Sequence, residues 1–157
     1  MISPNDTILL PVSLENLPDL VTIDGNELLL KSHFHVSLVC IKEIIRKHKV
    51  SIPDFKDLVV RDFCDFVAVN GINLLNYLEE FKFVVENDLK TIIVRCNVSN
   101  LEKFFETINK KYGLKVEYPP THVTLYTLES KPGIFLTDLN DIKNLTKPIL
   151  DPIGHAL

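Results

Sequence analysis

Two short stretches each set a histidine and a hydroxyl residue two positions apart. The first to consider is Thr121-His122-Val123-Thr124-Leu125-Tyr126-Thr127-Leu128. Its alternation of apolar and polar residues, rich in β-branched and aromatic side chains, predicts a half-buried strand. Side chains alternate across a strand, so His122, Thr124 and Tyr126 share one face and Val123, Leu125 and Thr127 the other. His122 and Thr124 then stand about 6.6–7 Å apart, close enough to hold one small group between them. Earlier in the chain His35-Val36-Ser37-Leu38 repeats the order histidine, apolar, hydroxyl, leucine. There His35, Ser37 and Val39 share a face, and His33 joins them if the strand runs unbroken.

A histidine changes charge near pH 6.5, so it can give or take a proton close to neutrality. Opening a phosphodiester needs one group to deprotonate water and another to protonate the leaving oxygen, each worth roughly 10²–10⁴-fold. Charge builds on the non-bridging oxygens, and hydroxyl donors aimed there stabilise it. His35 and His122 supply the proton carriers in such a scheme, and Ser37 and Thr124 the donors. No metal is required. His33 and His35 have the spacing of a metal pair on one strand face, but no third ligand is near in sequence, so no metal site is expected. Tyr126 and His33 are candidates to line the same cleft. The plainer readings are a packed tyrosine with its hydroxyl satisfied and a surface histidine at a strand entry. His48 and His155 read as solvated. Lys31, Arg95 and Lys131 are able to bind phosphate but read more simply as surface charges.

The elements that must position these residues follow from periodicity and turn chemistry. Residues 1–26 carry Pro4, Pro11 and Pro18 and predict an irregular arm with at most one short strand, ending in an Asp24-Gly25 turn. Strands are expected at Glu27–Lys31 and His35–Cys40, with helical spacing over Ile41–His48. Ser51 reads as a helix cap before an amphipathic helix over Pro53–Val69, stopped near Asn70-Gly71. Ile72–Glu80 fits helix and strand equally. Phe81–Glu86 and Ile92–Val98 predict a hairpin around Glu86-Asn87-Asp88. A helix with stripe Leu101, Phe104, Phe105 and Ile108 should start at Ser99 or Asn100 and close at Gly113. Leu114–Tyr118 reads as a short strand, broken by Pro119-Pro120. A turn is expected at Ser130-Lys131-Pro132-Gly133, a short helix from Asp138 to Leu145, and a proline-broken tail from Lys147.

At 157 residues the chain suits one domain over 1–157. With 46% hydrophobic and 24% charged residues it has a soluble globular profile. No apolar run approaches the roughly 18 residues of a membrane span, and the first residues lack a signal-peptide pattern. A cytoplasmic protein that engages no membrane is expected. Cys40, Cys64 and Cys96 are odd in number and widely spaced, and fit reduced core thiols better than a disulfide framework. A net charge of −4 argues against binding long duplex nucleic acid, so any phosphate-bearing ligand must be held locally.

The pair His35-Val36-Ser37-Leu38 and His122-Val123-Thr124-Leu125 resembles the twin His-x-Ser/Thr-apolar signature of the two-histidine (2H) phosphoesterase superfamily. That group includes RNA 2′,3′-cyclic phosphodiesterases of the RNA ligase T type. The run Pro119 to Tyr126 is similar to second-motif segments of bacterial members. The resemblance implies an α+β, bilobal and pseudo-symmetric fold, with two antiparallel sheets facing a central cleft and helices outside. It implies His35 and His122 as the acid/base pair, Ser37 and Thr124 as phosphate-oxygen donors, and no cofactor. The implied activity is metal-independent hydrolysis of a 2′,3′-cyclic phosphate or related phosphodiester of a nucleotide or RNA end, by a monomer. The alternative is a nucleotide- or phosphate-binding module with the same cleft and little or no catalysis. The acidic balance and the lack of obvious substrate anchors motivate that alternative. A plain structural α+β domain is the third reading.

Overall fold

Runs of strands are separated by helices along the chain, and among the described residues every strand pairing is antiparallel. A computed structural model describes residues 1–3, 5–129 and 131–157. Pro4 and Ser130, read above as a breaker and a turn residue, lie outside the described residues. Among these residues the strands are β1 (Thr7–Val12), β2 (Leu20–Ile23), β3 (Asn26–Leu30), β4 (Phe34–Cys40), β5 (Leu74–Glu86), β6 (Leu89–Val98), β7 (His122–Thr127) and β8 (Thr146–Ile149). The helices are α1 (Ile41–His48), α2 (Phe55–Asn70), α3 (Leu101–Tyr112) and α4 (Leu139–Leu145).

The α+β expectation holds at that level. In place of two separate sheets, the strands join as one eight-stranded sheet in the order β1-β4-β7-β6-β5-β8, with the β2-β3 hairpin hydrogen-bonded to β7 through β3. The junction is narrow: β4 and β7 share one residue pair, Val36 opposite Val123. Both valines are fully buried, and this contact of two small β-branched side chains brings the two histidine strands side by side.

One face of the sheet carries the large core. Val36, Leu38, Val94, Cys96, Val123 and Leu125 meet Ile41 and Ile44 of α1, Phe55, Val59 and Phe66 of α2, and Leu101, Phe104, Phe105 and Ile108 of α3. Phe63 and Phe66 pack edge-on against Phe104, at centroid distances of 5.2 and 5.4 Å. Edge-to-face packing is a preferred arrangement of aromatic rings. On the opposite face a smaller cluster forms from Val84, Ile93, Ile134 and Leu136, with Ile142 and Leu145 of α4 against it. Helices therefore lie on both faces rather than only outside.

Several local expectations change for identifiable reasons. The N-terminal arm contains two strands. β1 is an edge strand beside β4, where Pro11 is tolerated, and β2 forms a hairpin with β3 through Asp24 and Gly25, both at positive φ. The ambiguous Ile72–Glu80 stretch is mostly strand; two register irregularities in β5 scramble its alternation. α2 begins at Phe55 because Asp54 takes a left-handed backbone with no side-chain cap, so Ser51 caps nothing there. Leu114–Tyr118 is not a strand: it pairs with none among the described residues, and the Asn109 side chain bonds both the N–H and the C=O of Val116, at 2.9 Å each. The tail folds back as β8 on β5, with Pro148 again at an edge. Cys40 and Cys96 are buried, whereas Cys64 is exposed on the outer side of α2. No helix of the described residues is long and apolar enough to cross a membrane.

Candidate active site

The chemistry of the four motif side chains depends on the β4–β7 pair. With Val36 opposite Val123 in an antiparallel pair and both buried in the main core, His35, Ser37, His122 and Thr124 all turn to the other face. The same register sets His35 beside Thr124 and Ser37 beside His122. The histidines then occupy one diagonal of a small rectangle and the hydroxyls the other, with diagonal neighbours roughly 7–8 Å apart. All four line one cleft of about 170 Å³.

Pro119 and Pro120, both buried, lead the chain into β7, and their fixed φ holds the Pro120 carbonyl in place. That carbonyl lies 2.9 Å from His122 Nδ1. A carbonyl can only accept, so Nδ1 carries the hydrogen and Nε2 is left with its lone pair. Thr121 anchors the same turn through a hydroxyl bond of 2.6 Å to the Cys96 carbonyl. Burial pushes the His122 pKa from 6.5 down to about 4; Arg95, its cross-strand neighbour on β6, and His35 act in the same direction, and the bond to Pro120 opposes them. His35 is also lowered, first by burial and then by the charge of Lys31. In the free protein both imidazoles are therefore neutral at pH 7.

The cleft has a wall that the sequence reading missed. After β7 the segment 131–136 crosses the strands as a strap. Ile134 and Leu136 are buried in the smaller cluster, while Gly133 and Phe135 line the cleft. A Cβ added at Gly133 would stand 3.5 Å from Thr124 Oγ1, in ordinary contact, so the strap passes close over that hydroxyl. The sequence signal was the apolar alternation Ile134-Phe135-Leu136 behind Pro132-Gly133. Pro132, Ile134 and Leu136 of the strap also border the cleft, with Asn5, Lys31 and Pro119, and no Asp or Glu is among the described lining residues.

Two candidates fall outside. His33 is exposed, because β4 begins only at Phe34, and it borders a separate hollow. Tyr126 does not line the cleft. Ile92 opposes Tyr126 while Ile93 opposes Thr124, so Leu125 is the extra residue of a β-bulge. The bulge turns Tyr126 into the main core, where its hydroxyl donates to the Pro18 carbonyl at 2.8 Å. Arg95 borders a different hollow, and Lys131 lies 3.7 Å from Asp88. Among the described residues no group of three or more His, Cys, Asp or Glu side chains is arranged to hold a metal ion. No protein-family profile, curated protein or solved structure matches the chain.

Proposed function

We propose that this chain is a metal-independent phosphoesterase of the two-histidine type, opening a 2′,3′-cyclic phosphate or a related phosphodiester of a nucleotide or RNA end. The observation that carries the reading is that two histidines and two hydroxyls, from two adjacent strands, line one cleft with no carboxylate among its described lining residues. A phosphorus atom centred there has an imidazole toward each of two opposite sides, which suits in-line displacement. One histidine takes a proton from water as its oxygen bonds to phosphorus. The other gives a proton to the leaving oxygen as its P–O bond breaks. Ser37 and Thr124 donate to the non-bridging oxygens as their charge grows. His122 meets one requirement directly: with Nδ1–H held by Pro120, its Nε2 is a ready acceptor. Protonation of one imidazole must accompany substrate binding, and an anion within about 4–6 Å favours the charged form.

His35→Ala and His122→Ala should each lose roughly 10²–10⁴-fold in turnover of nucleoside 2′,3′-cyclic monophosphates, with folding at pH 7 retained. Full turnover in both variants would sink the reading. The neutrality of both imidazoles in the free protein favours one second reading, a nucleotide- or phosphate-binding module with little chemistry. It predicts that nucleotides raise the melting temperature while no substrate is consumed.

A further inference from the structure

We propose that Lys31 is the charge anchor of the cleft: its ammonium binds the phosphoryl anion beside His35, and the arriving anion frees His35 to take up a proton. The inference rests on the phosphate-cleft reading above and names the residue that makes the cleft selective for anions.

Lys31 is placed by the same bulge that turns Tyr126 away. β3 ends at Leu30, which pairs with Tyr126, and the Lys31 N–H donates to the Leu125 carbonyl at 2.9 Å. A short bend through Ser32 and His33 leads back into β4. Lys31 and His35 are thus both tied to β7, one at the bulge and the other next to the Val36–Val123 pair. Lys31 is the sole lysine or arginine among the described lining residues, and it forms no ion pair among the described residues. In a chain of net charge −4, one unneutralised cation in a cleft without carboxylates is a local anion site. Its charge also bears on His35, whose pKa it lowers. From β7, His122 faces His35 as a neutral imidazole. Glu15 and His33 border the hollow on the far side of His35, and neither lines the cleft. A bound phosphoryl group offsets the Lys31 charge and adds its own attraction, so both effects favour His35 protonation when the ligand is present.

The test follows the histidine ring protons by NMR across pH, with and without inorganic phosphate, in the wild type, Lys31→Gln, Lys31→Glu, Lys31→Arg and, as a surface control, Lys42→Gln. Phosphate affinity should fall about tenfold in Lys31→Gln, the loss expected of one charged hydrogen bond, and should be kept in Lys31→Arg. The His35 midpoint without phosphate should rise in Lys31→Gln and rise further in Lys31→Glu. A residue that merely shapes the fold would not give that charge-graded series. Lys42→Gln should change neither quantity. If the wild type binds phosphate at His35 and His122 and the Lys31 variants bind it equally with an unmoved His35, the inference falls and the cleft reading stands. If phosphate perturbs neither histidine of the wild type, the anion cleft fails and the role of Lys31 fails with it.

Discussion

Replacing His122 with asparagine should flatten the acid side of the stability curve. The folded chain holds this imidazole neutral down to about pH 4, against 6.5 for an ordinary histidine. Between those values the unfolded chain binds the proton and the folded chain does not. Stability therefore rises with pH across the window: the contribution is fully present above pH 6.5 and is lost as pH falls toward 4. The full gap corresponds to about 3 kcal/mol, most of it expressed by pH 4, a large share of the stability of a domain of this size. Asparagine removes the titrating ring and keeps an N–H to offer the Pro120 carbonyl. Urea unfolding of the wild type and His122→Asn at several pH values from 4 to 8 measures the difference. The wild type should lose about 2–3 kcal/mol more than the variant between pH 7 and 4. The lowered carboxyls Asp62, Asp138 and Asp151 also lose stability on acidification, but they titrate below their ordinary value of 3.8 and are common to both proteins. Parallel curves for the two proteins would refute the claim that burial holds His122 neutral.

Three further substitutions probe the cleft and its surroundings. Thr124→Val should lower kcat by about 10²-fold with little change in melting temperature, and Thr124→Ser should restore most of it. Gly133→Ala should be tolerated, because its added carbon would meet Thr124 at ordinary contact distance, whereas Gly133→Leu should abolish phosphate binding in calorimetry while the chain stays folded. Tyr126→Phe should cost about 1 kcal/mol in urea unfolding, by leaving the Pro18 carbonyl without its donor, and should leave turnover unchanged.

The site was legible in the sequence where one strand face obeys strict alternation. His35 with Ser37, and His122 with Thr124, could be assigned to shared faces by counting, and the structure brings all four to one cleft. Counting failed one step further on, at Tyr126, because a bulge is an insertion that local alternation does not mark; only the partner strand reveals it. The same limit hid most of β5, whose irregular pairing erases a clean period, and the edge strands β1 and β8, whose prolines resemble breakers until a neighbour strand satisfies their other groups. Leu114–Tyr118 reads as a strand because Leu114, Val116 and Tyr118 alternate with Lys115 and Glu117 in sequence, yet only Val116 is buried and Asn109 supplies its backbone partners. The strap over the cleft was hidden for a related reason. Its two buried anchors, Ile134 and Leu136, are meaningful only once Val84 and Ile93 are known to present an apolar surface to them.

Whether the two histidines open a phosphodiester is decided by hydrolysis of nucleoside 2′,3′-cyclic monophosphates and of an oligoribonucleotide ending in a cyclic phosphate, with EDTA present, beside the His35→Ala/His122→Ala double variant. The wild type should turn these substrates over, undiminished by EDTA, and the double variant should not. Equal turnover by both proteins, or wild-type turnover that EDTA abolishes and a divalent cation restores, would contradict that chemistry.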